Sequence, residues 1–175
     1  MKKGLVGLLL FAVICIAACH KTTITPTISQ QFTTDSLKIV KYLADNNIQA
    51  TEHDSVWYSI STLGTGAYPT RYNCVLVKYS VYELGTDTAF QTFDNPGIKA
   101  PLKGFNGVVG LQIALKKFPA GTKATVFIPS YLAYGTGGQR NPDGSWVVHP
   151  NTCLIFDIEL VQLFDYNVAG NYCYE

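Results

Sequence analysis

The sequence predicts an α+β fold: an antiparallel sheet of about five strands with one short helix packed on its face, and an extra helix before it. Two alternating runs, Val75/Val77/Tyr79 and Leu154/Phe156/Ile158, supply an inward apolar face of the kind antiparallel sheets bury on one side. Between them lies one short segment at helical spacing, too brief a connection for repeated βαβ units, so a doubly wound dinucleotide-binding fold is excluded.

The elements follow in chain order. "TDSLKIVKYLADNNIQA" places Leu37, Ile39, Val40, Tyr42 and Leu43 near helical spacing, which predicts a helix over about Ser36 to Asn46 with Asp35 as N-cap and Asn46 or Asn47 as the stop. "SVWYSIS" alternates as a strand around Val56, Tyr58 and Ile60, "LGTGAYP" is a turn cluster, and "NCVLVKYSVYEL" is a long strand turned by "GTDT" toward "AFQTF". "GVVGLQIALKKF" fits a short helix closed by Pro119 and Gly121. "TKATVFIPS" reads as a strand, "YGTGGQRNPDGSWVVHP" as a long loop, and "TCLIFDIELVQLF" as the last strand.

The N-terminal "MKKGLVGLLLFAVICIAACH" combines Lys2 and Lys3 with an apolar run from Leu5 to Ala18, the pattern of a secretory signal. Its ending, Ile16-Ala17-Ala18-Cys19, resembles the bacterial lipobox, which implies cleavage before Cys19 and lipidation of that cysteine. His20, which is not the aspartate of inner-membrane retention, then points to the outer membrane. The expected organisation is a signal over 1–18, lipid-bearing Cys19 with a polar, Thr-rich tether to residue 34, a helical segment over 35–52, the main domain over 53–166 and a tail over 167–175. The expected location is the bacterial cell envelope, with the domain held by its lipid on the periplasmic side.

A net charge of +1 with scattered basic residues excludes a nucleic-acid partner bound through a basic stripe. Of five cysteines, Cys74, Cys153 and Cys173 remain after Cys15 and Cys19 are assigned, and none forms a Cys-x-x-Cys pair, so zinc and thioredoxin-like chemistry have no support. His20, His53 and His149 fall in the tether or in loops. No Ser/His/Asp set or carboxylate pair stands out, and neither a metal nor a cofactor is expected. The Gly-rich stretch "AYGTGGQ" poses a choice between a phosphate cradle and a turn at a pocket rim. It lacks a following lysine, and Pro142 and Gly144 prevent the helix a phosphate site needs, so the glycines are read as a tight turn beside Tyr134.

"GLQIALKKFPAGTKATVFIPSYLAYG" followed by "HPNTCLIFDIELVQL" resembles the FKBP-type peptidyl-prolyl isomerase family, with several motifs in order over roughly Tyr72 to Phe164. The resemblance implies a curved sheet wrapped around a short helix, and an isomerase acting on proline-containing polypeptides. Carried over, it makes Tyr79 the strand tyrosine of the pocket, Phe90 the aromatic beside it, Val108 the backbone N–H that meets a substrate carbonyl and Leu111 the floor. Tyr134 becomes the hydroxyl donor at the rim, Val148 a loop wall and Phe156 the aromatic beneath. Each apolar member taken alone reads first as plain core, and only the ordered set points to a pocket.

The sequence departs from the family pattern at Gln91, where an acidic residue is usual after the aromatic, at Leu111, where tryptophan is common, and at Ile98, where an aromatic is common. A second register, with Phe93 and Asp94 as the aromatic–acid pair, stays open; the Phe90 register needs the smaller insertion. A binding or chaperone module without catalysis is the alternative function. The family topology also implies that Cys173 returns to Cys74 while Cys153 stays free.

Overall fold

The computed structural model describes residues 27–167 and 172–173; the signal expected over 1–18, the lipid site expected at Cys19 and most of the expected tail lie outside them. Helix α1 (Ile28–Asp45) is followed by strands β1 (Thr51–His53), β2 (Val56–Thr62), β3 (Asn73–Glu83) and β4 (Gln91–Pro101), helix α2 (Val109–Leu115), and β5 (Lys123–Ile128). A ribbon of β6 (Gln139–Arg140) and β7 (Trp146–Val148), then β8 (Leu154–Asn167) and β9 (Tyr172–Cys173), complete the order. The main sheet runs β1-β2-β5-β8-β3-β4, every pair antiparallel, with β9 added to the end of β8. The five long strands are those the alternation predicts.

The two faces of the sheet bury different things. Val75, Val77, Val126, Ile128, Leu154, Phe156 and Leu160 point to the main core, where α2 adds Leu111, Ala114 and Leu115. Gly110 is required there, since a Cβ at this position would run into the Ile128 side chain. The residues between them, Trp57, Phe127, Cys153 and Ile155, face the other way and are covered by Ile39 and Leu43 of α1. One helix thus closes each face, and β8 serves both because successive side chains alternate.

Helix α1 begins at Ile28, eight residues before the predicted start, so residues 28–34 of the expected tether are helical. The missed signal is a capping box: Thr27 accepts from the Gln30 N–H, and the Gln30 side chain accepts from the Thr27 N–H. The buried face is Gln31, Asp35, Ile39 and Leu43, while Leu37 and Val40, which helped predict the helix, are exposed. Asp35 is therefore not the N-cap but an interior residue of the helix. The end at Asn46, with Asn47 left-handed, is as expected. Among the described residues no helix is long and apolar enough to cross a membrane.

Cys74 and Cys173 form a disulfide with Cα atoms 5.7 Å apart, and Cys153 is free and buried. The bond joins residues 99 positions apart. Replacing both cysteines by serine should lower the unfolding free energy by about 2 to 4 kcal/mol in urea titrations. Burial, reinforced by the Asp35 charge, pushes the Cys153 thiol up to about 12. It should therefore resist alkylation in the folded protein at neutral pH and react once the protein is unfolded.

Candidate functional site

A pocket of about 420 Å³ opens between β3, β4, α2 and the turn after β5. Its wall is a row of three rings on the sheet: Tyr79 lies 5.1 Å from Phe93 on one side and 5.5 Å from Phe156 on the other, centroid to centroid. These tilted contacts lie within the range that favours aromatic pairs and fix each ring's plane. Leu111 and Val108, both buried, form the floor at the start of α2; Ile98 and Phe105 close the side. Tyr134 stands half-buried at the rim, with Gln91 and Gln139 also lining the opening.

The structure brings together Tyr79, Gln91, Ile98, Val108, Leu111, Tyr134 and Phe156 of the sequence-predicted set and leaves out two. Phe90 packs against the core outside the lining, its N–H donating to Val81. The reason is register: β4 starts at Gln91, and Tyr79 pairs with Phe93. The extra residues sit in a bulge, Asp94 to Gly97, opposite Lys78. Gly97 takes a positive φ there, and any Cβ would strike the Val77 carbonyl. Asp94 faces the opposite side of the sheet, in a polar groove with Lys78 and Lys123, so neither register puts a carboxylate in the pocket. Val148 is the second departure: at the end of β7, it is fully buried in the core and does not line the pocket.

Sequence reasoning missed Val77, Phe105 and Gln139, which line the pocket. Val77 was legible as an inward strand residue. Phe105 stands between Gly104 and Gly107 just before α2, a lone aromatic in a turn and the only signal it offers. Gln139 has none, because it depends on the β6–β7 ribbon. Gly138 makes that ribbon possible, with φ +60° and no room for a Cβ beside the Val148 carbonyl. Arg140 stacks 3.3 Å over the Trp146 ring within the ribbon, and the Glu83 carboxylate of β3 accepts the His149 N–H at 2.7 Å, which ties the end of the ribbon to the sheet. The Gly-rich stretch turns the chain at a pocket rim and opens no long helix, as its sequence implies.

Comparison with known proteins decides the family. A family model described as FKBP-type peptidyl-prolyl cis-trans isomerase matches residues 66–161, more than half of the chain. The chain belongs to this family. Among curated FKBP-type relatives, the 22 kDa peptidyl-prolyl cis-trans isomerase of Escherichia coli is 32% identical over 139 residues, covering 77% of this chain and 64% of that protein. Outer membrane protein MIP of Legionella longbeachae is 35% identical over 106 residues, 61% of this chain and 43% of that protein. The chain thus spans about half the length of the curated relatives it matches. Among solved structures, a peptidyl-prolyl cis-trans isomerase from Pseudomonas syringae superposes with a TM-score of 0.63 at 24% identity, covering 79% of this chain and 97% of that one. FkpA from Escherichia coli gives 0.58 at 21% identity, covering 79% and 63%, so both support the FKBP-type fold.

The two tyrosine hydroxyls of this FKBP-type pocket stay protonated. Burial raises Tyr79 above the ordinary 10.0, with a further push from Tyr134, and burial alone raises Tyr134. The folded state therefore holds these protons when the unfolded chain releases them, and stability falls as pH rises above about 10. In an absorbance titration of the folded protein, Tyr134→Phe should delete a late-ionising tyrosine and leave the early ones unchanged.

Proposed function

We propose that the chain accelerates cis-trans isomerisation of X-Pro bonds in exported polypeptides. The observation that carries this reading is the pocket's make-up: three rings in contact along the wall and an aliphatic floor, with the half-buried hydroxyls of Tyr79 and Tyr134 and no Ser, Cys or His among the lining residues. Amide resonance holds the prolyl bond planar behind a barrier of about 18–20 kcal/mol. The twisted transition state loses that resonance and is less dipolar, so removing water from the amide raises the planar state more than the twisted one. Phe93, Ile98, Leu111 and Phe156 hold the proline ring and exclude water, and Tyr79 lies between the two sheet phenylalanines. The Tyr134 O–H and the Val108 N–H donate to the carbonyls beside the bond, which fixes the substrate in the reactive geometry. Phe90 and Val148 support this arrangement from the core.

The same reading places the domain in the bacterial cell envelope, tethered through lipid on Cys19. Three things support it: the lipobox pattern, the Cys74–Cys173 disulfide, which belongs to an oxidising compartment, and a relative named as an outer membrane protein. Acyl chains at roughly 0.8 kcal/mol per buried CH2 hold a soluble domain at a membrane stably when two or more are present. Neither register puts a carboxylate in the lining, where the family has an acid, and this favours the second reading, a module that binds proline segments without turning them over.

A proline-peptide isomerisation assay separates the two. Uncatalysed exchange takes tens to hundreds of seconds, so modest acceleration is measurable. Phe156→Ala, checked for folding by circular dichroism, should abolish catalysis by opening the wall. Tyr134→Phe should slow it several-fold, as expected for one hydrogen bond of about 0.5–1.5 kcal/mol. Asp94→Asn should leave it unchanged, since that carboxylate faces away from the pocket. Binding without acceleration would establish the module instead. For the anchor, Cys19→Ala should release the protein from membranes or leave its signal uncleaved; normal maturation and retention of that variant would refute lipidation.

A further inference from the structure

The turn that presents Tyr134 starts without a cap of its own. Pro129 precedes a single 3₁₀ turn, Ser130–Leu132, and offers no side-chain acceptor for its first N–H. That N–H goes to α1 instead. Asp35 Oδ2 accepts the Ser130 N–H at 2.9 Å and the Ser130 Oγ–H at 2.6 Å, and Oδ1 accepts from Gln31 Nε2 at 2.7 Å. Asp35 is 0% exposed, and Lys38 Nζ is 4.0 Å from Oδ1.

We infer that Asp35 is a positioning residue for isomerisation: its carboxylate, carried by a helix that contributes nothing to the pocket lining, sets the Ser130–Tyr134 turn and thereby the Tyr134 hydroxyl. The inference rests on reading the pocket as a prolyl isomerase site. Docking α1 does not require a carboxylate, since Ile39 and Leu43 already pack on Trp57, Phe127 and Ile155, and a buried charge is a costly way to join two elements. What the carboxylate adds is direction, because two charge-assisted bonds converge on one residue.

The rest of the turn transmits that placement. Leu132 N–H donates to the Pro129 carbonyl at 3.0 Å and Ala133 N–H to the Ser130 carbonyl at 2.9 Å, so the turn is closed as far as Ala133, the residue that leads directly into Tyr134. On the far side, the Gly135 carbonyl accepts the Asn151 N–H at 2.8 Å. Phe32 of α1 meets Tyr131 edge-on at 5.4 Å, a second strut from the same helix. Tyr134 is held between two fixed points, and one of them is Asp35.

The test is a double-mutant cycle on the full chain in the proline-peptide assay. Asp35→Ala and Ser130→Ala should each lower kcat/KM several-fold, mainly through kcat. Combined with Tyr134→Phe, neither should slow the enzyme beyond Tyr134→Phe alone, because the hydroxyl they place is already gone. Losses that multiply, or a lowered Tm with unchanged kcat/KM, would overturn the inference and leave Asp35 a structural residue. Should Asp35→Ala fail to fold, Ser130→Ala carries the same cycle, since it keeps the backbone bond to Asp35. If the native protein shows no acceleration, the isomerase reading has failed, and the placement is judged by amide exchange in Ser130→Ala. Faster exchange at Leu132 and Ala133, with β8 unchanged, supports placement by Asp35; unchanged exchange overturns it.

Discussion

Everything in this fold hangs on the register of β8. This strand hydrogen-bonds to β3 on one side and to β5 on the other, with Phe156 opposite Val81 and Val126 at once. Its alternation sends Leu154, Phe156, Ile158 and Leu160 toward one side of the sheet and Ile155 toward α1, where Cys153, just before the strand, joins it. A slip of one residue would exchange the two sets, exposing the pocket's aromatic and burying Asp157 and Glu159. Two strands and two helices read the same register, so it is specified several times over.

The pocket follows from that constraint together with one irregularity. β3 presents Tyr79 on the same face as Phe156, and the bulge in β4 brings Phe93 to the other side of the tyrosine ring while Ile98 resumes the ladder opposite Val77. A regular hairpin would have kept the pairing in step and put a different residue there. The helix floor arrives by a separate route, through the close approach that Gly110 allows. Sheet, bulge and helix each supply one wall, and none would make a pocket alone.

How much of this was legible depends on whether a feature leaves a periodic trace. The long strands and α2 alternate or repeat plainly, and the ordered motifs marked seven of the residues that line the pocket. The start of α1 left little trace, because its buried face carries Gln31 and Asp35 among the apolar residues and its first turns are Thr-rich, a poor helix composition that a capping box and tertiary packing override. The sequence marks Asp35 as a helix cap, and its chemistry is that of a cap, but it serves a turn 95 residues away. Phe90 was preferred on the smallest insertion in the hairpin, whereas the chain places its extra residues in a bulge that spacing alone does not locate. The β6–β7 ribbon, two strands of two and three residues, is too short for any alternation to show.

The bond between Cys74 and Cys173 encloses every residue of the pocket, from Val77 to Phe156, within one covalent ring. Of the described helices and strands, only α1, β1 and β2 lie outside it. A pull on the amino-terminal side is therefore taken up by the segment before Cys74, and the ring can be loosened but not drawn out into a line. A single protease cut within it leaves two pieces that stay joined, so for this domain losing chain continuity and losing the pocket are separate events.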